Sequence, residues 1–330
     1  MKLGIVGSGV IVKEFLTRLM DLEGLTVMGI QGVKDMMEEV TNLCNEYDIP
    51  CATSDFDELC AMEIDTVYIA VPNYLHFDYC KRALEKGLNV IVEKPMTSNL
   101  AETLYLKEKA KEKQLFLFEA ITTLYLGNYK KIREWLPRIG DVKMVQSQYS
   151  KCSKRYDAFR NGEILPVFDP KKSGGALMDL NLYNIHYVMG LFGEPDSSSY
   201  LANIERDIDT NGILIMNYPS FRAICIAAKD CKGLSSGIIQ GTNGCIKSMS
   251  SPNMIGEIRL ELNDGTKESY DDKGDSNRLL PEFTEFIRAI NENDRAFCYK
   301  MLEKSIAVSA LQTNARQEAG IKFPADERIV

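Results

Sequence analysis

Two stretches of this 330-residue chain carry side chains that could move a proton, and both follow structural signals. The first is Asn89-Val90-Ile91-Val92-Glu93-Lys94-Pro95. An apolar run ends on a carboxylate, an ammonium and a proline, which packing alone does not ask for. The second is Gly174-Gly175-Ala176-Leu177-Met178-Asp179-Leu180-Asn181-Leu182-Tyr183-Asn184-Ile185-His186. A glycine pair and an apolar i, i+3, i+4 stripe predict a helix, with Leu177, Leu180 and Leu191 supplying packing. On an α-helix Asp179, Tyr183 and His186 fall at i, i+4 and i+7, hence on one face. Such a face could orient, accept and donate a proton. The same spacing also describes a partly exposed polar stripe, and the residues alone leave both readings open.

The elements that must position these residues follow from periodicity. Apolar strands are expected at 2–6, 25–30, 65–72, 89–95 and 115–120, with helical patterns between them, as at 35–48 and 74–87. Ser54 with Asp57 and Asn99 with Glu102 have the spacing that opens a helix. This alternation predicts a Rossmann-type, doubly wound parallel sheet, whose ligands sit outside the carboxyl ends of the strands. At the first such end stands Gly7-Ser8-Gly9-Val10-Ile11-Val12. Gly7 suits a tight turn, and Gly9 lets backbone N–H groups approach a pyrophosphate at a helix N-terminus. Val12 replaces the third glycine of that fingerprint. After 25–30 the chain reads Gln31-Gly32-Val33-Lys34, with no carboxylate for a ribose. Lys34 suits a 2′-phosphate or is a solvated loop lysine, which tilts the expectation from NAD toward NADP. The third end, Val71-Pro72-Asn73-Tyr74-Leu75-His76, presents backbone to the cofactor, with Asn73 placed to cap the next helix. His76, on the first helical turn, is counted with the residues around the cofactor, although a lone histidine there is more often a structural partner.

Beyond residue 120 the pattern changes. A helix at 128–140 precedes strands at 142–150, 199–207, 211–219, 221–230, 235–241, 245–251 and 257–264. Pro219, Asn243-Gly244 and Asp264-Gly265 mark hairpins, and helices are expected at 281–290 and 301–320. The whole is α/β: a Rossmann domain over 1–120, then an α+β domain over 121–330 with a large, mainly antiparallel open sheet for substrate and for self-association. An open sheet needs its second face covered, so a homodimer or homotetramer is expected.

Composition excludes several classes. A net charge of −8 and a pI near 5.1 do not suit a nucleic-acid partner. No apolar run approaches the roughly 18 residues of a membrane span. Nine scattered cysteines without a C-x-x-C pair suit a reducing, cytoplasmic setting and supply no metal site.

Taken in order, the G-x-G turn, Pro72-Asn73-x-x-His76, Glu93-Lys94-Pro95 and the Gly-Gly-Ala-Leu-x-Asp helix resemble the Gfo/Idh/MocA oxidoreductases along essentially the whole chain. The resemblance implies a nicotinamide dinucleotide and a sugar, polyol or related carbonyl substrate. It implies that Lys94 lies where nicotinamide and substrate meet, that Glu93 orients it and contacts the cofactor ribose, and that Pro95 fixes the strand end, often through a cis bond. The family's D-x-G-x-H-x-x-D helix reads Asp179, Asn181, Tyr183 and His186 here, so Tyr183 takes the acid/base place. The family's R-F-H-P stretch is replaced by Thr123-Leu124-Tyr125-Leu126-Gly127, and Arg155 offers a substitute fork for a carboxylate or phosphate. Tyrosine titrates near 10, and a neighbouring ammonium favours its phenolate. Lys94 and Tyr183 therefore read as an acid/base unit, with Asp179 accepting a substrate hydroxyl or holding Lys94. The competing reading is a non-catalytic, dinucleotide-binding regulator of the same fold.

Overall fold

The computed structural model describes residues 1–272 and 277–329 and divides into two compact units. The first holds Met1–Ala120 and Glu282–Ile306, the second Ile121–Pro281 and Ala307–Ile329.

In the first unit, β1 (Lys2–Val6), β2 (Thr26–Gln31), β3 (Ala52–Thr53), β4 (Thr66–Ile69), β5 (Asn89–Glu93) and β6 (Leu117–Ala120) form one sheet in the order β3-β2-β1-β4-β5-β6. All its pairings are parallel. The connections carry α1 (Val10–Leu19), α2 (Met37–Glu46), α3 (Phe56–Cys60), α4 (His76–Glu85) and α5 (Leu100–Glu112). Val67, Ile69, Val90 and Val92 pack with Phe77, Ala83, Leu106 and Ala110 of α4 and α5. Tyr68, on the opposite pleat, meets Phe15 of α1 and Phe283 at ring distances of 5.4 and 5.2 Å. Both faces are thus apolar, as a parallel sheet requires. Phe286 stacks on Phe118 at 4.6 Å and Leu302 joins the core, so Glu282–Ile306 belongs with the first unit although its sequence follows the second. The strand order reverses between β1 and β4, which is where ligands collect in such sheets.

The second unit contains α6 (Gly127–Trp135), β7 (Val142–Ser150), α7 (Lys154–Arg160), α8 (Leu182–Phe192) and β8 (Ser197–Glu205) to β14 (Lys267–Tyr270). Between these last two lie β9 (Ile208–Asn217), β10 (Arg222–Ala228), β11 (Ser236–Gly241), β12 (Gly244–Ser248) and β13 (Ile258–Leu262). The sheet order is β14-β13-β12-β11-β7-β10-β9-β8, antiparallel except for the β7–β10 pair. Val145, Leu214, Met216, Ala223, Cys225 and Ile239 are fully buried on one face. On the other face the register aligns Leu201, Ile213 and Ile226 across three strands. Helices α9 (Leu280–Asn291) and α10 (Arg295–Glu318) close the chain.

Several local expectations shift. Asp55, not Ser54, caps α3, accepting from the Asp57 N–H at 2.7 Å. Asn73 opens a single 3-10 turn, and no side chain caps α4. The 35–48 helix likewise begins as a 3-10 turn at Lys34–Met36. The β8–β9 hairpin turns on Arg206 and Asp207, at φ 50° and 66°, without a glycine to announce it.

The glycine pair does have a local cause. A Cβ on Gly174 would lie 2.7 Å from the Pro166 carbonyl oxygen, and one on Gly175 (φ +106°) 2.1 Å from Asp209 Oδ1. Asp209 is buried and accepts from the Leu177 N–H and the Tyr200 hydroxyl, both at 2.6 Å. Burial pushes its carboxyl up to about 6, against the opposing pull of those bonds and of Lys229. The folded chain therefore holds this proton more tightly than the unfolded one. Its stabilising contribution is complete below about pH 4 and is lost as the pH rises through about 6. Replacing it by Asp209→Asn should remove a decline of about 1.4 kcal/mol per pH unit across that window. Urea unfolding at several pH values checks this, and parallel curves for variant and parent would contradict it.

Candidate functional site

In the first unit the turn after β1 lies against the chain leaving β4. Gly7 has φ +118°, and a Cβ there would stand 2.3 Å from the Ala70 carbonyl oxygen. Its N–H donates to Gln31 O at 2.8 Å, tying β1 to β2. Gly9 is different: it is the N-cap of α1, and a Cβ on it meets nothing within 4 Å. Packing within the protein does not demand glycine at this position, so its missing side chain leaves open space at a helix start. No side chain caps that start and no acid lies in its first turn. Ser8 is buried, Ile11 half-buried and Val10 79% exposed. Unscreened N–H groups and the helix dipole fit the phosphates of a dinucleotide. Val12, in place of the third glycine, is fully buried.

Gln31 closes the tip of β2, buried, with Nε2 donating to Gly32 O at 2.7 Å. Lys34 is exposed on the following 3-10 turn. Asp35, Glu38 and Glu39 line a groove beside it with Lys13, which pairs with Glu39 at 2.5 Å.

Lys94 follows β5, half-buried, with a cis peptide bond to Pro95. Glu93 beside it accepts from the Tyr68 hydroxyl at 2.6 Å. The loop after Lys94 is held residue by residue. His76 Nδ1 is 2.7 Å from Pro95 O, and its Nε2 is 2.8 Å from Val71 O. Glu119 accepts from the Met96 N–H at 2.8 Å, and Thr97 Oγ1 lies 2.6 Å from Thr103 Oγ1. Asn99 caps α5 through the Glu102 N–H, while Glu102 accepts from the Ser98 N–H, as the sequence spacing predicts. His76 is fully buried, and burial pushes its pKa down, so the neutral ring has one N–H to give to one of the two carbonyls it lies between. It is a tie between two strand ends, and its ring nitrogens are not available to a cofactor. Val71 and Asn73 are half-buried and Pro72 exposed, so this loop offers mainly backbone.

In the second unit the expected single α-helix divides. Leu177–Asn181 is a π turn, and α8 continues from Leu182. Such turns recur at functional sites because an extra residue redirects the side chains around it. Asp179 lies in the π turn with its side chain 33% exposed. Tyr183 is buried at 7% exposure, its ring 6.1 Å from that of Tyr149 on β7. His186 is buried at 1%, so the three are not a uniformly exposed stripe. Asn184 ties the helix to the sheet, accepting from Ser147 Oγ at 2.8 Å and donating to Ile226 O at 3.0 Å. Arg155 is exposed in the first turn of α7, which replaces the strand end expected there.

Asp179 Oδ2 lies 2.5 Å from Nζ of Lys229, whose side chain is only 2% exposed. Lys229 carries a signal in the sequence: like Lys94, it follows an apolar strand.

The chain matches two family models, the oxidoreductase family's NAD-binding Rossmann fold over residues 1–120 and its C-terminal alpha/beta domain over 136–317. It is 31% identical over 331 residues, covering 99% of both chains, to scyllo-inositol 2-dehydrogenase (NADP+) of Bacillus subtilis. It is 25% identical to trans-1,2-dihydrobenzene-1,2-diol dehydrogenase of Xenopus tropicalis, covering 98% of this chain and 99% of that one. The 3-ketoreductase KijD10 of Actinomadura kijaniata, solved with NADP and TDP-benzene, shares the fold with a TM-score of 0.82 at 18% identity, over 96% of this chain and 97% of that one.

Gly9→Asp would place a side chain and a negative charge in the open space at the start of α1. NADPH affinity, read by fluorescence titration, should fall sharply while the fold is kept. Equal affinity for variant and parent would refute this phosphate site.

Proposed function

Because the chain belongs to the Gfo/Idh/MocA family and is an NAD(P)-dependent oxidoreductase, we propose that its substrate is a secondary alcohol, or the matching carbonyl, of a sugar, polyol or related small molecule. The relatives' names support this class: one is an inositol dehydrogenase, the other a dihydrodiol dehydrogenase. The lean toward NADP rests on the NADP+ in the first name and on a β2 tip that ends in Gln31 and leads to Lys34. The observation that carries the reading is Lys94, an ammonium at a strand end whose loop is fixed by five neighbouring hydrogen bonds.

When bound, the nicotinamide supplies or accepts the hydride; the protein orients and moves the proton. Tyr183 takes the hydroxyl proton in oxidation and returns it in reduction. Lys94 favours the phenolate that this requires. Asp179 accepts a hydrogen bond from the substrate. Val71, Pro72 and Asn73 line the cofactor with backbone, Glu93 meets its ribose, and Arg155 and His186 are secondary candidates for substrate contact.

We further infer a homodimer, or a tetramer of dimers, in the cytoplasm. The outer row of Leu201, Ile213 and Ile226, with Leu201 59% and Ile213 40% exposed, is the face such a partner would cover. The nine cysteines are free, in keeping with a reducing compartment. Sedimentation at micromolar concentration should give a dimer or tetramer; a monomer would overturn the assembly. Cell fractionation tests the compartment.

Tyr183→Phe should lower kcat by about 10² to 10⁴-fold with cofactor affinity retained. Lys94→Ala should cost as much and raise the pH at which alcohol oxidation turns on. The double variant should lose little more than either single one, because groups acting together are not additive. Steady-state kinetics with NADP+ and a panel of sugars and polyols checks this. Full kcat in Tyr183→Phe would move the proton transfer to another group.

A further inference from the structure

Lys229 stands just past β10, where burying an ammonium is costly unless it is paired and held in good geometry. Its backbone is fixed from both sides: its N–H donates to Thr210 O at 2.9 Å, and its carbonyl accepts from Ser153 N–H at 2.8 Å. The Phe168 ring centroid is 5.3 Å from Nζ. The side chain is 2% exposed, but its partner Asp179 keeps 33% of its own. That asymmetry separates it from Arg316, the other buried Lys or Arg among the described residues. The Arg316 side chain is 1% exposed and pairs with Asp326, whose side chain is itself only 15% exposed, and it also donates to Ile321 O. Lys229 instead holds a carboxylate that still faces outward.

The π turn from which Asp179 projects is itself anchored at its start, where the buried Asp209 accepts from the Leu177 N–H.

We propose that Lys229 is a positioning residue for the reaction, fixing Asp179 from beneath so that the exposed part of the carboxylate receives a substrate hydroxyl. This rests on the function proposed above. Lys229 itself touches no reacting atom; it acts through Asp179. Orientation errors of about 1 Å can cost about 10²-fold in rate, and loss of the ammonium would remove the contact that holds the carboxylate.

The test compares the full-length parent with Lys229→Met, Lys229→Arg, Asp179→Asn and the Lys229→Met/Asp179→Asn double variant. Each is assayed with NADP+ and the sugar or polyol that the parent oxidises. Lys229→Met should lower kcat by about 10²-fold with NADPH affinity at the parent's value. Lys229→Arg, which restores the charge, should recover part of that loss. The double variant should be no slower than Asp179→Asn alone, since Lys229 acts only through that carboxylate. A lower melting temperature with unchanged kcat in Lys229→Met would mean a structural role only and would overturn the inference. So would additive losses in the double variant. If Lys229→Met does not fold, Lys229→Gln, which keeps a donor without the charge, carries the same expectation. A parent that binds NADPH but oxidises no member of the panel would overturn the underlying function, and this inference with it.

Discussion

The buried His76 ring stands between the carbonyl oxygens of Val71 and Pro95, which lie just past β4 and β5, and gives its one N–H to one of them. Strands buried on both faces can present chemistry only at their ends, so the loops there must be both polar and rigid. A buried polar group left without a partner costs about 1 to 3 kcal/mol. The neutral imidazole donates its one N–H to one of these two carbonyls, and Glu119, Thr103 and Glu102 meet that demand for the residues after Pro95. Lys94 therefore leaves a backbone whose position is already determined. Preorganisation of this kind is the form in which a scaffold contributes to orientation.

The second unit solves the same problem differently. Its candidate residues lie on a helix, and the helix is held through side chains rather than loops. Ser147 and the Ile226 carbonyl hold Asn184, Gln312 donates to Leu177 O at 3.0 Å, and Asp209 holds the first turn. The π turn over Leu177–Asn181 lets Asp179 keep its exposure while its neighbours are buried. The two lysines that matter most, Lys94 and Lys229, both follow apolar strands in this scheme.

Much of this was legible in the sequence. The parallel strands showed as short apolar runs, the Asn99 cap showed as a spacing, and two hairpins showed as Asn243-Gly244 and Asp264-Gly265. The resemblance carried the family, which the matches over both domains bear out. What stayed hidden has physical reasons. The two-residue β3 is too short for a period to register, and β14 is exposed along its whole length, so no apolar alternation marks it. Arg206 and Asp207 turn a hairpin at positive φ without glycine. The π turn is invisible to a 3.6-residue template. The return of Glu282–Ile306 to the first unit depends on aromatic packing with Phe15 and Phe118, a tertiary match that no local pattern encodes. Lys229 had a signal, a charge ending an apolar strand, but its partner lies 50 residues away.

The central claim is that this protein moves a hydride between a substrate carbon and nicotinamide. It is tested most directly by isotope tracing. A polyol deuterated at its carbinol carbons, incubated with the purified protein and NADP+, should yield NADPH carrying deuterium at C4 of the nicotinamide. NADPH formed without deuterium, or no NADPH with any alcohol of the class, would contradict the account.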